Sequence, residues 1–202
     1  MRRRQLLAVP PSWLLAACAG PGLRPPSPQI ASAESWGSVP AAELQPPQRI
    51  QHITLHHQGE TWVPGRDVTD YLRALQRWSR QTRHWADVPY HYVIAPDGRI
   101  FAARPEDQPG DTNTEYDPRG HALVMLLGNF EEVQPTPEAL GACVELMAWI
   151  AARHGLRPAD IASHKDYSAQ TVCPGAKLYR YLQNGWLRGA VGARMAGRAL
   201  PI

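Results

Sequence analysis

The stretch of this 202-residue chain richest in reactive side chains is Ser163–Gly175, SHKDYSAQTVCPG. It offers the imidazole of His164 and the thiol of Cys173, with Pro174 directly after the thiol. The two groups stand nine positions apart, so they cannot share one helical turn. They meet only if the chain between them loops back. His and Cys are the preferred ligands of zinc. A third protein ligand is needed, and Leu55–Gln58 (LHHQ) supplies a histidine on an expected strand. Two ligands from a late loop and one from an early strand make a His/His/Cys site with its fourth position open. An open position is the mark of a catalytic rather than a structural zinc. The same pair also fits a cysteine hydrolase, with Cys173 as nucleophile and His164 as base. Against it, Pro174 has no N–H to offer an oxyanion hole beside the thiol.

The elements that must position these groups follow from the apolar pattern. His52–His57 (HITLHH) alternates and reads as a strand. Asp67–Arg83 reads as a helix with Val68, Tyr71/Leu72, Leu75 and Trp78 on one face. After Pro89, two apolar strands flank Pro96-Asp97-Gly98, a hairpin turn in which Gly supplies positive φ. Residues 106–120 form a polar loop whose length suggests function. Ala122–Leu127 (ALVMLL) is a continuous apolar run, as expected of a buried central strand. Thr136 caps the next helix, Pro137 opens it and Gly155 ends it. Cys143 falls on the apolar repeat of that helix and reads as a small core residue. Ile161–Ser163 is a short strand leading into the reactive stretch, and Ala176–Leu187 is a final amphipathic helix. Strands and helices mix without strict alternation. The expected fold is a single α/β domain, a central mixed sheet flanked by helices in three layers.

The start of the chain bears on location. Three arginines precede an apolar run broken by Pro10 and Pro11, and small residues lead to Cys18. This is a secretory signal pattern, too short and broken to span a membrane. Leu15-Ala16-Ala17-Cys18 resembles a bacterial lipoprotein box, which implies a lipid on Cys18 after cleavage. Residues 19–48, rich in Pro, Ala, Ser and Gly, lack apolar periodicity and read as a flexible tether. The expected organisation is a signal over 1–18, the tether over 19–48, a catalytic domain over 49–190 and a tail over 191–202. The expected location is the periplasmic face of a membrane, the outer in preference to the inner. Without a cysteine pair the domain is no disulfide scaffold. The net charge of +3 is modest and no nucleic-acid stripe is present; Arg180, Arg188, Arg194 and Arg198 read as a solvated face.

Four segments, ITLHHQ, VPYHYVIAPDGRIFAAR, ALVMLLGNF and SHKDYSAQTVCPG, resemble in order and spacing the zinc N-acetylmuramoyl-L-alanine amidases. That superfamily includes the phage lysozyme-type amidases and the peptidoglycan recognition proteins. The resemblance covers roughly residues 50–185 and implies a mixed sheet with flanking helices. It implies His56, His164 and Cys173 as zinc ligands. Strand alternation agrees that only one of His56 and His57 faces the site. It further implies Tyr90 as the catalytic tyrosine and Thr171 as a hydrogen-bond donor to a developing oxyanion. The implied substrate is peptidoglycan or a muropeptide, cut at the amide between N-acetylmuramic acid and L-alanine by a zinc-activated water. A monomer is expected. The apolar strand Ala122–Leu127 lacks the glutamate of the anhydromuramyl amidases, which places the match nearer the tyrosine-bearing branch. The His164–Cys173 interval is one residue longer than is usual in the recognition-protein branch, so the loop must bulge. Some relatives bind peptidoglycan without cutting it, and those typically lack the cysteine; a binding module is therefore the alternative. His91 is either a support for the site or a core residue, Asp166 holds the loop, and Trp62 and Arg104 are candidates for lining a glycan groove.

Overall fold

The computed structural model describes residues 25–41 and 43–199. The expected signal over 1–18, with Cys18, lies outside the described residues. In chain order the elements are β1 (Ile30–Ala31), β2 (His52–His57), α1 (Val68–Gln81), β3 (Tyr92–Ile94), β4 (Ile100–Ala102) and β5 (His121–Leu126). There follow α2 (Pro137–His154), β6 (Ile161–Ser163), α3 (His164–Tyr167), α4 (Ala176–Gln183) and α5 (Trp186–Met195). The six strands form one sheet in the order β1-β4-β3-β5-β2-β6. Only the β3–β4 hairpin is antiparallel; every other pairing is parallel. This is the mixed sheet the sequence predicts, in a single domain.

Alternation along the strands separates two cores. Ile53, Leu55, Val124, Leu126, Tyr92, Ile94 and Ile161 point to one face, where α2, α4 and α5 cover them. Val93, Phe101 and Met125 point to the other, against Val68, Tyr71 and Leu72 of α1. The central run is buried throughout because both faces are covered. The ends of the helices are set by side chains. Asp67 accepts from the backbone N–H groups of Thr69 and Asp70 at 2.7 and 3.0 Å. Thr136 accepts from Ala139 N at 3.1 Å, and Gly155 ends α2 in the left-handed conformation at φ 69°.

Three expectations are corrected. The flexible tether does not extend to residue 48. From Ile30 onward the chain belongs to the fold: β1 pairs with β4, and Trp36 is fully buried with its Nε1 donating to Ala102 O at 2.8 Å. A single large anchor in a Pro- and Ala-rich stretch has no periodicity to reveal it. Second, the inward face of α1 is rotated. Gln76 is buried, donating to Val39 O at 3.1 Å and to Asp87 Oδ1 at 2.7 Å, while Trp78 is 42% exposed. The N-terminal segment packs where Gln76 points, so a polar residue is interior and Trp78 stands at a cleft mouth. Third, the last helix is two. Asn184-Gly185 breaks it, with Gly185 at φ 77°, and α5 continues to Met195, into the expected tail. There Arg194 pairs with Glu145 of α2 at 2.6 Å, and Arg188 donates to Ile161 O at 2.7 Å. Neither arginine is simply solvated.

Candidate metal centre

Sheet register assembles the site. β2 and β6 run parallel, with Leu55 opposite Ser163. The next residue of each strand is a histidine, so His56 and His164 emerge side by side at the C-terminal ends of parallel strands. Such ends are where α/β sheets hold ligands. The two ring centroids are 4.7 Å apart. His56 points to the α1 side and is only 2% exposed. His57 points the opposite way, and its Nδ1 accepts from Phe130 N at 3.3 Å. Neighbouring histidines on one strand are thus divided between site and core, as alternation requires.

Cys173 arrives by a loop that closes on itself. Ser163 caps α3, its N–H and hydroxyl each donating to Asp166 Oδ2 at 2.8 Å. Tyr179 OH donates to the other oxygen of Asp166 at 2.6 Å, so Asp166 holds the loop as expected. Lys165 N then donates to Cys173 O at 2.9 Å, tying the two ends of the loop together. Ser168 Oγ donates to Glu115 Oε2 at 2.6 Å. The one-turn helix α3 and the turn at Ala169-Gln170 lie within the interval between the two side chains. Beyond the thiol, Gly175 packs so tightly on Phe130 that a Cβ there would lie 2.5 Å from its carbonyl carbon.

Cys173 Sγ is 7% exposed and lies 3.6 Å from His56 Nδ1. His57 N–H donates to the same sulfur at 3.4 Å. One donor atom from each of His56, His164 and Cys173 falls within 4.8 Å of the others. Zinc–nitrogen and zinc–sulfur bonds of about 2.0 and 2.3 Å in a tetrahedron put the two donors about 3.5 Å apart, so the His56–Cys173 separation suits one shared ion. His56 Nε2, the ring's other nitrogen, is buried with no hydrogen-bond partner among the described residues. Burial pushes the imidazoles toward the neutral, ligating form. It holds His56 well below its ordinary value, helped by His164, and lowers His164 to about 4. Burial also pushes the Cys173 thiol up to about 12; a nearby cation is what would stabilise its thiolate. These residues fit a zinc ion.

A cleft of 360 Å³ opens over His56 and His164, lined also by Tyr90, Asp111, Thr112, Trp78 and Trp85. Tyr90 lies just before β3, its ring centroid 5.3 Å from that of His56. Burial holds its phenol well above the ordinary value, with Cys173 adding to the effect, so it stands ready as a neutral O–H donor. Thr171 is partly buried, and its Oγ1 accepts from Cys173 N at 3.0 Å, which leaves its hydroxyl proton free. The sequence reading missed Thr114, whose hydroxyl lies 2.7 Å from His164 Nε2; the polar loop was visible, but not which of its residues turns inward.

Two other candidates take structural places. Arg104 is 3% exposed and donates to Asp87 O at 2.8 Å, to Pro109 O and to Asp111; it anchors the polar loop and does not line the cleft at His56 and His164. His91 is fully buried, with Nδ1 accepting from Leu123 N and Nε2 donating to Gln108 O, both at 2.9 Å. It is a core cross-link. Cys143 is a free, buried thiol in α2.

Known proteins are similar to this chain in sequence and fold. The chain is 30% identical over 163 residues to a pig N-acetylmuramoyl-L-alanine amidase (Sus scrofa), covering 76% of this chain and 26% of that protein. It therefore spans about a quarter of that relative's length. It is 27% identical over 180 residues to peptidoglycan recognition protein 1 of Bos indicus, covering 87% of this chain and 93% of that one. Among solved structures, the ectodomain complex of peptidoglycan recognition proteins LCa and LCx bound to tracheal cytotoxin shares the fold. The TM-score is 0.67 at 24% identity, over 76% of this chain and 94% of that chain. The family model described as N-acetylmuramoyl-L-alanine amidase matches residues 46–176, most of the chain and all three candidate ligands, and the chain belongs to that family.

Proposed function

We propose that this chain is a zinc-dependent peptidoglycan amidase. It hydrolyses the amide joining the lactyl group of N-acetylmuramic acid to L-alanine of the stem peptide. The observation that carries the reading is the convergence of His56, His164 and Cys173 from distant parts of the chain to within 4.8 Å of one another, with His56 and His164 opening into one cleft. Zinc held by these three side chains supplies Lewis acidity and a water of lowered pKa. The chain's own groups do the rest. Tyr90 donates its O–H toward the reacting carbonyl or the attacking water. Thr171, with its hydroxyl oxygen already accepting from Cys173 N, has its proton to give to the oxyanion. The peptidoglycan-recognition relatives support a muropeptide as the ligand. On the same reading the protein is exported and works as a monomer, tethered through a lipid on Cys18 to the periplasmic face of the outer membrane.

The cysteine-hydrolase reading loses support in the site. The Cys173 thiol is buried, with its pKa raised to about 12, whereas nucleophilic cysteines sit in surroundings that lower it. A pure binding module has one observation in its favour, that several relatives are named as recognition proteins. The test is metal analysis beside muropeptide cleavage, for wild type and Cys173→Ser. Wild type is expected to carry zinc and release peptide; the variant is expected to lose both. A variant that keeps both sinks the proposal, and zinc-loaded wild type that binds muropeptide without cutting it decides for the binding module.

A further inference from the structure

One nitrogen of His164 is already committed when the ring reaches the cleft. Its Nε2 lies 2.7 Å from Thr114 Oγ1 and 3.3 Å from Thr112 Oγ1. The two hydroxyl oxygens are 2.9 Å apart, and Thr114 N donates to Thr112 Oγ1 at 3.2 Å. A neutral imidazole has one proton to place, and a hydroxyl has one proton and two lone pairs. Which way the protons run decides what His164 can do. If Thr114 O–H donates to Nε2, the ring proton sits on Nδ1 and that nitrogen cannot ligate. If Thr114 O–H donates to Thr112 Oγ1, then Thr114 Oγ1 accepts from Nε2–H and the Nδ1 lone pair is free.

The backbone favours the second arrangement. Thr112 Oγ1 is turned by its bond from Thr114 N into the local acceptor of this loop. It has a lone pair left for Thr114 O–H, and its residue lines the open cleft, where its own proton can meet solvent. We propose that Thr114, backed by Thr112, is a positioning residue: it holds His164 as the Nε2–H tautomer and so presents Nδ1 to the metal. The inference rests on the zinc reading above. It gives the polar loop a role beyond substrate contact, because the loop that walls the cleft also sets the orientation of a ligand. His56 has no such partner, since its Nε2 is unbonded; the orienting hydrogen bond at this site is therefore to His164 alone.

The experiment measures zinc affinity by competition with a chelator in wild type, Thr114→Val and Thr114→Ser. Valine keeps the shape and removes the hydroxyl; serine keeps the hydroxyl. Loss of a ligand's hydrogen-bond partner typically weakens metal binding about 10- to 100-fold. That loss is expected for valine, with serine close to wild type. The ring ¹⁵N spectrum of the metal-free protein supplies a readout that packing alone would not move: Nε2–H for wild type and serine, a tautomer mixture for valine. If wild type binds zinc and valine binds it equally well, the positioning role is wrong while the zinc reading stands. If serine loses as much affinity as valine, the hydroxyl is not responsible and the role is again wrong. If wild type binds no zinc, both readings fall together.

Discussion

Acid should unfold this protein partly through His91, a residue outside the metal centre. Its Nδ1 accepts from Leu123 N and its Nε2 donates to Gln108 O, each at 2.9 Å. The ring therefore joins the central strand to the polar loop, and only the neutral form satisfies both bonds. Protonating Nδ1 would set one N–H against another. Burial lowers the ring's pKa from 6.5 to about 4. In the unfolded chain the ring takes up its proton at the ordinary value, so between these two pH values the unfolded state binds more protons. A depressed base of this kind contributes stability that is complete above pH 6.5 and is lost as pH falls toward 4. At about 1.36 kcal/mol per pKa unit the whole loss is about 3 kcal/mol, a large part of the 5–15 kcal/mol typical of a domain (roughly). Other buried histidines titrate in the same window, so the measurement is a difference. Urea unfolding of wild type and His91→Asn is compared at several pH values from 7 to 4. Asparagine keeps an acceptor for Leu123 N and cannot titrate. Its stability should fall less steeply, by about 1.4 kcal/mol per pH unit. Equal slopes for the two proteins would refute the reasoning.

Two substitutions test other parts of the structure. Gly175→Ala meets a backbone at φ 86° and ψ 144°, a region reserved for glycine at a cost of about 1–3 kcal/mol, and its Cβ would lie 2.5 Å from Phe130 C and 2.7 Å from Glu131 N. Because those are backbone atoms, Cys173 must shift instead; a lowered denaturation midpoint together with lost zinc is expected, and unchanged zinc affinity would separate this packing from the site. Trp36→Ala removes a fully buried ring and its bond to Ala102 O, at a cost of about 3–5 kcal/mol in chemical denaturation; a change near zero would mean that the segment around residue 36 is a free tether after all.

How much of this was legible in the sequence depended on whether a signal was local or periodic. The β3–β4 hairpin, the cap at Thr136 and the buried run of β5 each follow from a few adjacent residues, and each is found where expected. Strand alternation required that only one of His56 and His57 face the site, and the family resemblance picked His56. The pairing of His56 with His164 needed one more fact, the parallel register of β2 on β6, which no local pattern contains. Trp36 and Gln76 were misplaced for the same reason from opposite sides. A lone tryptophan without periodicity looks like linker, and a glutamine on a helix looks like surface; each is buried only because the other's segment covers it. Asn184-Gly185 was a readable stop signal, outweighed by the apolar spacing running through it.

The corrected N-terminal boundary also bears on how far the proposed lipid-anchored enzyme can reach. A tether over 19–48 would have let the domain stand about 100 Å from the anchor at full extension, at roughly 3.4 Å per residue. With β1 starting at Ile30, eleven residues lie between Cys18 and the sheet, and the same arithmetic allows about 40 Å. β1 lies at the edge of the sheet, four strands from β2, so the anchor joins the domain on the side away from the strand that bears His56. If Cys18 carries the proposed lipid, so short a leash would confine the proposed enzyme to peptidoglycan close to that membrane.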